Sequence, residues 1–530
     1  MSLTTVNREW GSSNDEGHEL KETVTAPHPS GKTPLREEDC YEKLGFSYPT
    51  KRKWLILTCV FMVQTSMNFN ASVYGNAVKP LSEHFNISDA KVRRGQMVFL
   101  LAYAFGCELW APWSEELGRW GVLQWSLGLV NLWQIPCALA KNFDTILAGR
   151  FLGGLSSAGG SVTLGMVADM WDLDEQQYAV AFVVLSSVGG SVVGPVVGGF
   201  IEQYFDWRWN FWIQLIFGLA VQGLHAFVVP ETRSTVLTDR EAKRRREDGE
   251  GDVYGPNELR TFRERFKMKE IVKIWVRPFV MFVREPIVLW LSLLSGFSDA
   301  LIFTFLESYG YVFEQWNFST VQLGLAFLPL LVGYFIAYFS FMPVFHKHRS
   351  IMRNRGTNAL APEARLWWLL FTAPLLSIGL FGFAWSSLGP PTPWIVPLVF
   401  SGLVGIANYA IYMATIDYMV ASYGPYAASA TGGNGFARDF LAGISSLYAG
   451  PLYKSLGIKN QLAHGSTLLA CLAVVATVPI YIFYYYGPKI RARSKFALSL
   501  EKEREVKANG MGDRVEENAS WAGITCSGAH

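Results

Sequence analysis

The most constraining feature of this 530-residue chain is a recurrence of apolar runs, each long enough to cross a bilayer. A spanning helix needs about 20 mostly apolar residues to traverse the hydrocarbon and satisfies its backbone N–H and C=O groups internally. Such runs stand at about residues 54–78, 93–112, 121–140, 144–168, 178–201 and 209–229. A second set follows at about 286–313, 321–345, 366–386, 393–417, 425–451 and 465–487. The pattern predicts an all-α membrane protein with twelve transmembrane helices in two pseudo-symmetric six-helix bundles. The expected division is a disordered cytosolic tail over 1–50, an N-terminal bundle over 51–230 and a cytosolic linker with an amphipathic helix over 231–285. A C-terminal bundle over 286–488 and a cytosolic tail over 489–530 complete it.

Composition agrees with lipid as solvent. Charged residues are 17% of the chain, against about 25% in soluble domains. The net charge of +2 gives no reason to expect a nucleic-acid partner. Six cysteines show neither metal-ligand nor thioredoxin spacing. Residues 1–50 lack the apolar core of a signal peptide.

Lys and Arg in short loops set orientation. Lys51–Lys53, then Lys347, Arg349, Arg353 and Arg355, then Lys489, Arg491, Arg493 and Lys495 all fall on one side, which puts both termini in the cytosol. Lys91, Arg93 and Arg94 disagree, since they fall on the opposite side. The sequons at Asn86 and Asn317 also lie opposite the termini, as glycosylation requires. Residues 264–284 mix Phe266, Ile271, Trp275 and Phe279 with Arg265, Lys269, Lys273 and Arg277, a pattern suited to the inner leaflet or to a plain linker helix.

An ionisable group inside a span is costly and is a functional candidate by default. Here these are Glu108, Arg150, Asp169, Asp299, Glu307, Asp417, Arg438 and Asp439. Buried carboxyls such as Glu108, Asp299 and Glu307 are suited to carrying a proton or neutralising a cation. Arg150 and Arg438 stay charged and need a counter-charge or carbonyls. Asp169 and Asp417, at cytosolic span ends, read as caps or gate contacts. In the fifth run, Gly190, Gly194, Pro195, Gly198 and Gly199 form a close-packed, bendable stretch.

Gly190 to Gly199 resembles the G-x-x-x-G-P-x-x-G-G signature of the antiporter branch of the major facilitator superfamily. Ala111–Trp120 resembles that family's loop motif, in which Glu115, Gly118 and Arg119 match. Ala111, Glu116 and Trp120 depart from it. Arg150 with Gly153-Gly154 is similar to its fourth-helix arginine motif. Pro230-Glu231-Thr232, Arg284-Glu285-Pro286, Glu307-Ser308-Tyr309, Pro362–Leu366 and Ser429–Arg438 resemble fungal drug:H⁺ antiporters with twelve spans.

The resemblance implies the major facilitator fold, and proton-coupled efflux of small amphipathic compounds (drugs, toxins or fungal metabolites) by alternating access. Proton coupling falls to Arg150, Glu108, Asp299 and Glu307. The substrate contacts are expected at Trp133, Asp299, Glu307, Tyr309 and Arg438. The gate and pivot would use Glu115, Gly118, Arg119, Asp169 and the fifth-run glycines with Pro195. Expected partners are a small-molecule substrate, protons and the lipid bilayer. The expected state is a monomer in the plasma membrane, with a proton gradient in place of a cofactor and no metal. A polyamine or other organic-cation exporter and an uptake carrier remain alternatives. A polytopic membrane enzyme is a remote one, since His346 and His348 do not share a helix face.

Overall fold

The computed structural model describes residues 5–6, 24–25, 33–157, 159–172, 174–250, 252–259, 268–356, 359–455, 461–494 and 496–497. The expected tails therefore lie largely outside the described residues, as do residues 264–267 of the expected amphipathic helix and Lys495.

Helices stand at all twelve expected places. The first six spans are Thr50–Val73, Asp89–Glu116, Arg119–Ala138, the successive helices Phe143–Ser156 and Gly159–Met170, Gln176–Tyr204 and Trp209–Val228. The second six are Pro286–Trp316, Thr320–Arg355, Pro362–Ser386, Ile395–Tyr423, Ala427–Ser455 and Gln461–Arg491. Among the described residues, eight of these segments are long and apolar enough on their own to cross a membrane. Two of the others are lowered by polar residues that face protein. The first span buries Gln64, Asn68 and Asn70, and the eleventh buries Asn434 and Arg438. Outward-facing Trp125, Phe227, Phe339 and Val475 are exposed large apolar groups, as a lipid-facing surface demands.

One end of the bundle, here the linker side, carries the linker between the sixth and seventh spans. The other is the far side. At the far side the same short turn occurs in both halves. Asn86 closes the helix Val78–Phe85 with φ of 51°, and Ser88 caps the second span. Asn317, with φ of 55°, precedes Ser319, which caps the eighth span in a capping box with Gln322. Asparagine tolerates the left-handed conformation, and serine supplies the N-terminal acceptor. The two Asn-x-Ser triplets are thus explained by turn chemistry at pseudo-equivalent places.

At the linker side, residues 33–49 depart from the expected disordered tail. Leu35, Cys40 and Leu44 pack on Ala242 of the linker helix Ser234–Glu247. Thr33–Pro34 pairs in parallel with Val253–Tyr254. Three apolar side chains spaced through a polar segment are enough to dock it, although they form no continuous run. Arg246 secures the same corner, donating to Val253 O and to both Glu258 carboxylate oxygens at 2.6–2.8 Å. Burial pushes both carboxyls of this corner upward, and the arginines overcome it. The hydrogen bond from Arg246 holds the Glu258 carboxyl below its ordinary range, and that from Arg244 does so for Glu241.

Candidate functional site

The two halves meet along the second and eleventh spans and along the fifth and eighth. The glycines of the fifth span explain the second contact. A Cβ at Gly190 would sit 2.7 Å from Thr65 O, and one at Gly194 would collide with Ser72. One at Gly198 would collide with Asn76, so these three glycines seat the fifth span on the first. Gly199 turns to the other half, where a Cβ would lie 2.7 Å from Thr320 O and 3.2 Å from the Gly324 Cα. Backbone meets backbone there, with no side chain between.

On the linker side, Gly118 takes φ of +97°, a conformation that favours glycine, and any Cβ would meet Glu231. The Glu231 carboxylate accepts from Arg119 N at 2.9 Å and Trp120 N at 3.2 Å, which start the third span. It also accepts from Thr232 N and Arg233 N at 2.9 Å. Arg119 donates to Asp169 at 3.0 Å and to Ser114 Oγ at 2.6 Å. The acids of this network are thus Asp169 and Glu231. Glu115, expected to brace the gate, has no ion pair or hydrogen bond among the described residues. The second half repeats the device. Arg365 pairs with Asp417, and Arg491 donates to Glu363 at 2.9 and 3.0 Å. Asp417 also accepts from Gln177 of the fifth span, and Arg353 reaches Asp174 at 3.1 Å, so the halves are tied at this end.

They are also tied at the far side. Arg93 Nη2 lies 2.7 Å from Glu307 and donates to Tyr311 at 3.3 Å. Arg93 is thus buried against a carboxylate rather than exposed in a loop, whereas Lys91 and Arg94 of the same charged group stay exposed. Thr320 adds a bond to Gln203 at 3.3 Å.

Between the ends lie the buried charges. Arg150, 1% exposed, donates to Asn70 Oδ1 at 2.8 Å and Asn70 O at 2.9 Å, with its guanidinium 4.0 Å from the Phe99 ring centre and 4.7 Å from that of Tyr74. Its Nη2 has no partner, and it has no carboxylate within 4 Å among the described residues. Arg438 differs. It pairs with Asp299 at 3.0 Å and lies 3.4 Å over the Tyr412 ring. Glu108 is buried with neither an ion pair nor a hydrogen bond among the described residues. A Cβ at Gly432 of the eleventh span would come within 2.6 Å of its carboxylate.

The expected substrate contacts are not all brought together. Asp299 and Arg438 are joined, and Glu307 belongs to the far-side tie. Tyr309 is stacked with Phe305 and Phe383 and tilted against Phe327 inside the second half. Trp133 packs its backbone and Cβ on Gly149 and Gly153 of the fourth span. Among the described residues these contacts of both aromatics run within their own half, because helix facing is not written in spacing alone. Glu231 and Glu363 were absent from the expected site residues. The only signal for them was their place in Pro-Glu dipeptides at span ends.

Twelve helices in two tied halves, with buried charges at the seam, define a polytopic membrane carrier. Residues 58–447 match the family model described as Major Facilitator Superfamily. The chain is 32% identical over 452 residues to the MFS-type transporter kojT of Aspergillus oryzae, covering 84% of this chain and 79% of that one. It is 34% identical over 397 residues to the efflux pump atB of Aspergillus terreus, covering 73% and 81%. Its fold is similar to that of the xylose transporter XylE from E. coli in a partially occluded inward-open conformation. That likeness has a TM-score of 0.57 at 16% identity and covers 82% of this chain and 98% of that one. The chain belongs to the Major Facilitator Superfamily of membrane transporters, a family of carriers rather than enzymes.

Proposed function

We propose that this transporter exports small amphipathic compounds, such as drugs, toxins or fungal secondary metabolites, in exchange for protons. The observation that carries the reading is Glu108. A carboxylate buried without a counter-charge is costly to keep ionised, so it takes a proton readily and gives it up when water or substrate arrives. It sits on the seam that must open and close. Asp299 and Glu307 take part as members of the Arg438 and Arg93 pairs, and Arg150 supplies a fixed positive field to the first half. Substrate is expected between the halves near the midplane, against Asp299, Arg438 and Glu307, with Trp133 and Tyr309 supporting from within each half. The linker-side network of Gly118, Arg119 and Asp169 and the glycines of the fifth span serve as gate and pivot. Similarity to a protein named as an efflux pump supports the outward direction.

The protein is read as a plasma-membrane monomer with both termini in the cytosol, so the linker side is cytosolic. The helix Met268–Arg284 lies along the inner leaflet, with Met268, Val272, Val276 and Val283 turned outward. Asn86 and Asn317, both exposed on the outer face, are open to glycosylation.

A polyamine or other organic-cation exporter is a second reading, favoured by the uncompensated Glu108 carboxylate. Purified protein in vesicles enclosing a pH-sensitive dye tests both. Addition of a panel of drugs, fungal metabolites and polyamines is expected to move protons with at least one class. A substrate that crosses with no proton movement would sink the exchange reading.

A further inference from the structure

The helix Met268–Arg284 bridges the seam of the second and eleventh spans, and it holds the two sides unequally. Its grip on the second half is made of backbone and rings. A Cβ at Gly433 of the eleventh span would lie 3.2 Å from Pro278 O, and the Phe279 ring stands 4.9 Å from that of Phe436. Arg277 lies 5.4 Å from the Tyr426 ring centre. Glu285, which joins the helix to the seventh span, accepts from the Tyr423 hydroxyl at 3.1 Å. Toward the first half, the described residues make slighter contacts. Trp275 Nε1 donates to Leu109 O at 3.2 Å. Ring contacts join Trp275 to Trp113 at 6.4 Å and Phe279 to Phe105 at 6.2 Å.

The bridged place lies at lipid depth. Phe105 is 11 residues, about 16 Å of helix, from the linker-side end of the second span at Glu116. It is 49% exposed, and its ring is 5.1 Å from that of Phe436. Phe105, Phe279 and Phe436 thus form a plug of three rings, one each from the first half, the linker and the second half. One turn along the second span, Glu108 is buried against Gly432, while Phe105 faces outward. Pro112 follows, and its missing N–H lets the span bend at this level. The seam is also built to part. A Cβ at Gly432, Gly443 or Gly450 of the eleventh span would meet the side chains of Glu108, Leu101 or Arg93, whereas at the other seam Gly199 meets backbone. Side chains can turn aside where touching backbones cannot.

We propose that the helix Met268–Arg284 is a side gate. It stays with the seventh and eleventh spans, releases the second span at Trp275, and admits amphipathic cargo to the seam from the linker-side leaflet rather than from water. Compounds with an apolar body concentrate in that leaflet, and a plug of aromatic rings suits a flat apolar body. The side gate rests on the amphipathic cargo proposed above, not on proton exchange, and goes beyond it in naming the way in.

Full-length protein in vesicles is irradiated with trifluoromethyl-iodophenyl diazirine, a lipid-dissolved probe whose carbene inserts into C–H bonds, and the adducts are located by mass spectrometry. Trp125 and Phe227, exposed on the lipid-facing surface, serve as the reference. Arg349→Ala with Arg353→Ala removes the ties to Asp174 and Glu175 and should open the linker side. In that variant, labelling of Glu108 and Gly432 relative to the reference is expected to rise about fivefold or more. Trp275→Phe keeps a ring and loses the donor. It should raise the labelling about twofold or more with no change in melting temperature. Cysteines in place of Phe105 and Phe279, bridged by a short bis-methanethiosulfonate in protein carrying Cys471→Ser and Cys526→Ser, should abolish the rise, and reduction should restore it. A water-soluble carbodiimide reports in parallel whether water reaches Glu108. Glu108 reached by the carbodiimide but not by the diazirine overturns the side gate. So does a rise that persists with the bridge in place. Glu108 reached by neither reagent in any of these proteins overturns it as well, because the seam then does not part. The assay needs neither a proton gradient nor a cargo, so its failure leaves the export reading standing, and that reading fails separately in the flux assay above.

Discussion

Arg93 of the second span and Glu307 of the seventh meet at 2.7 Å, both largely buried, and their ion pair fastens one half of the transporter to the other at the far side. Removing one partner of a buried pair strands the other, at a cost of about 3–5 kcal/mol. That cost falls on the far-side-closed arrangement, in which the pair exists. Glu307→Gln and Arg93→Ala are therefore expected to favour far-side opening. Alkylation of a cysteine introduced at Tyr311 should accelerate by tenfold or more. The exchanged pair, Arg93→Glu with Glu307→Arg, should return the rate toward that of wild type.

Two glycines of the fifth span should respond to alanine with opposite signs. At Gly194 the new Cβ meets Ser72 and the Val73 backbone, so the first and fifth spans must separate, at about 1–3 kcal/mol. At Gly189 the nearest atom is a Leu331 methyl at 3.9 Å, and alanine should stabilise the helix by about 0.5–1 kcal/mol. Thermal unfolding in detergent is expected to show Gly194→Ala melting lower than wild type and Gly189→Ala melting at or above it.

Glu231 closes four backbone N–H groups at the junction of the third and sixth spans. Glu231→Ala removes every acceptor, and the helix start loses its anion. The expected loss is about 2 kcal/mol. Glu231→Gln keeps one oxygen acceptor and should lose less. Protease cleavage at the linker, followed over time, should rank the three proteins in that order.

Acid should release residues 33–49 from the linker. The folded-state pKa of Glu258 is depressed from its ordinary 4.5 by Arg246, so its contribution is present above that value and is lost as the pH falls through the lowered one. Glu241, held by Arg244 and Arg245, adds in the same direction. Amide protection in the pairing of Thr33–Pro34 with Val253–Tyr254, corrected for the intrinsic pH dependence of exchange, is expected to be high at neutral pH and to be lost only in acid below 4.5. In Glu258→Gln the protection should be lower at neutral pH and less dependent on acid.

How far the sequence carries depends on the range of the interaction. The spans were readable because lipid acts on each segment locally, and the glycine stretch was readable because its spacing is local too. Arg93 was misplaced as a loop charge because its partner lies 214 residues away, a separation that no window can detect. Tyr309 and Trp133 were expected at the substrate site because their chemistry suits it. The helix face that each occupies is set by neighbours such as Phe327 and Gly149 on other spans. The loop motif led to Arg119 but not to the acids that meet it. Glu115 is near in sequence, whereas Asp169 and Glu231 arrive from the fourth and sixth spans.

The backbone contact of Gly199 with Gly324 stands off centre along the fifth span, so in the rocking proposed above it would be an off-centre fulcrum. Gly199 stands five residues from the far end of its span and 23 from the linker end, about 8 Å against about 35 Å of helix. Rocking about that point gives the two mouths unequal lever arms. The same small rotation that closes one mouth opens the other, and it carries the linker-side mouth through an arc several times longer than the far-side one.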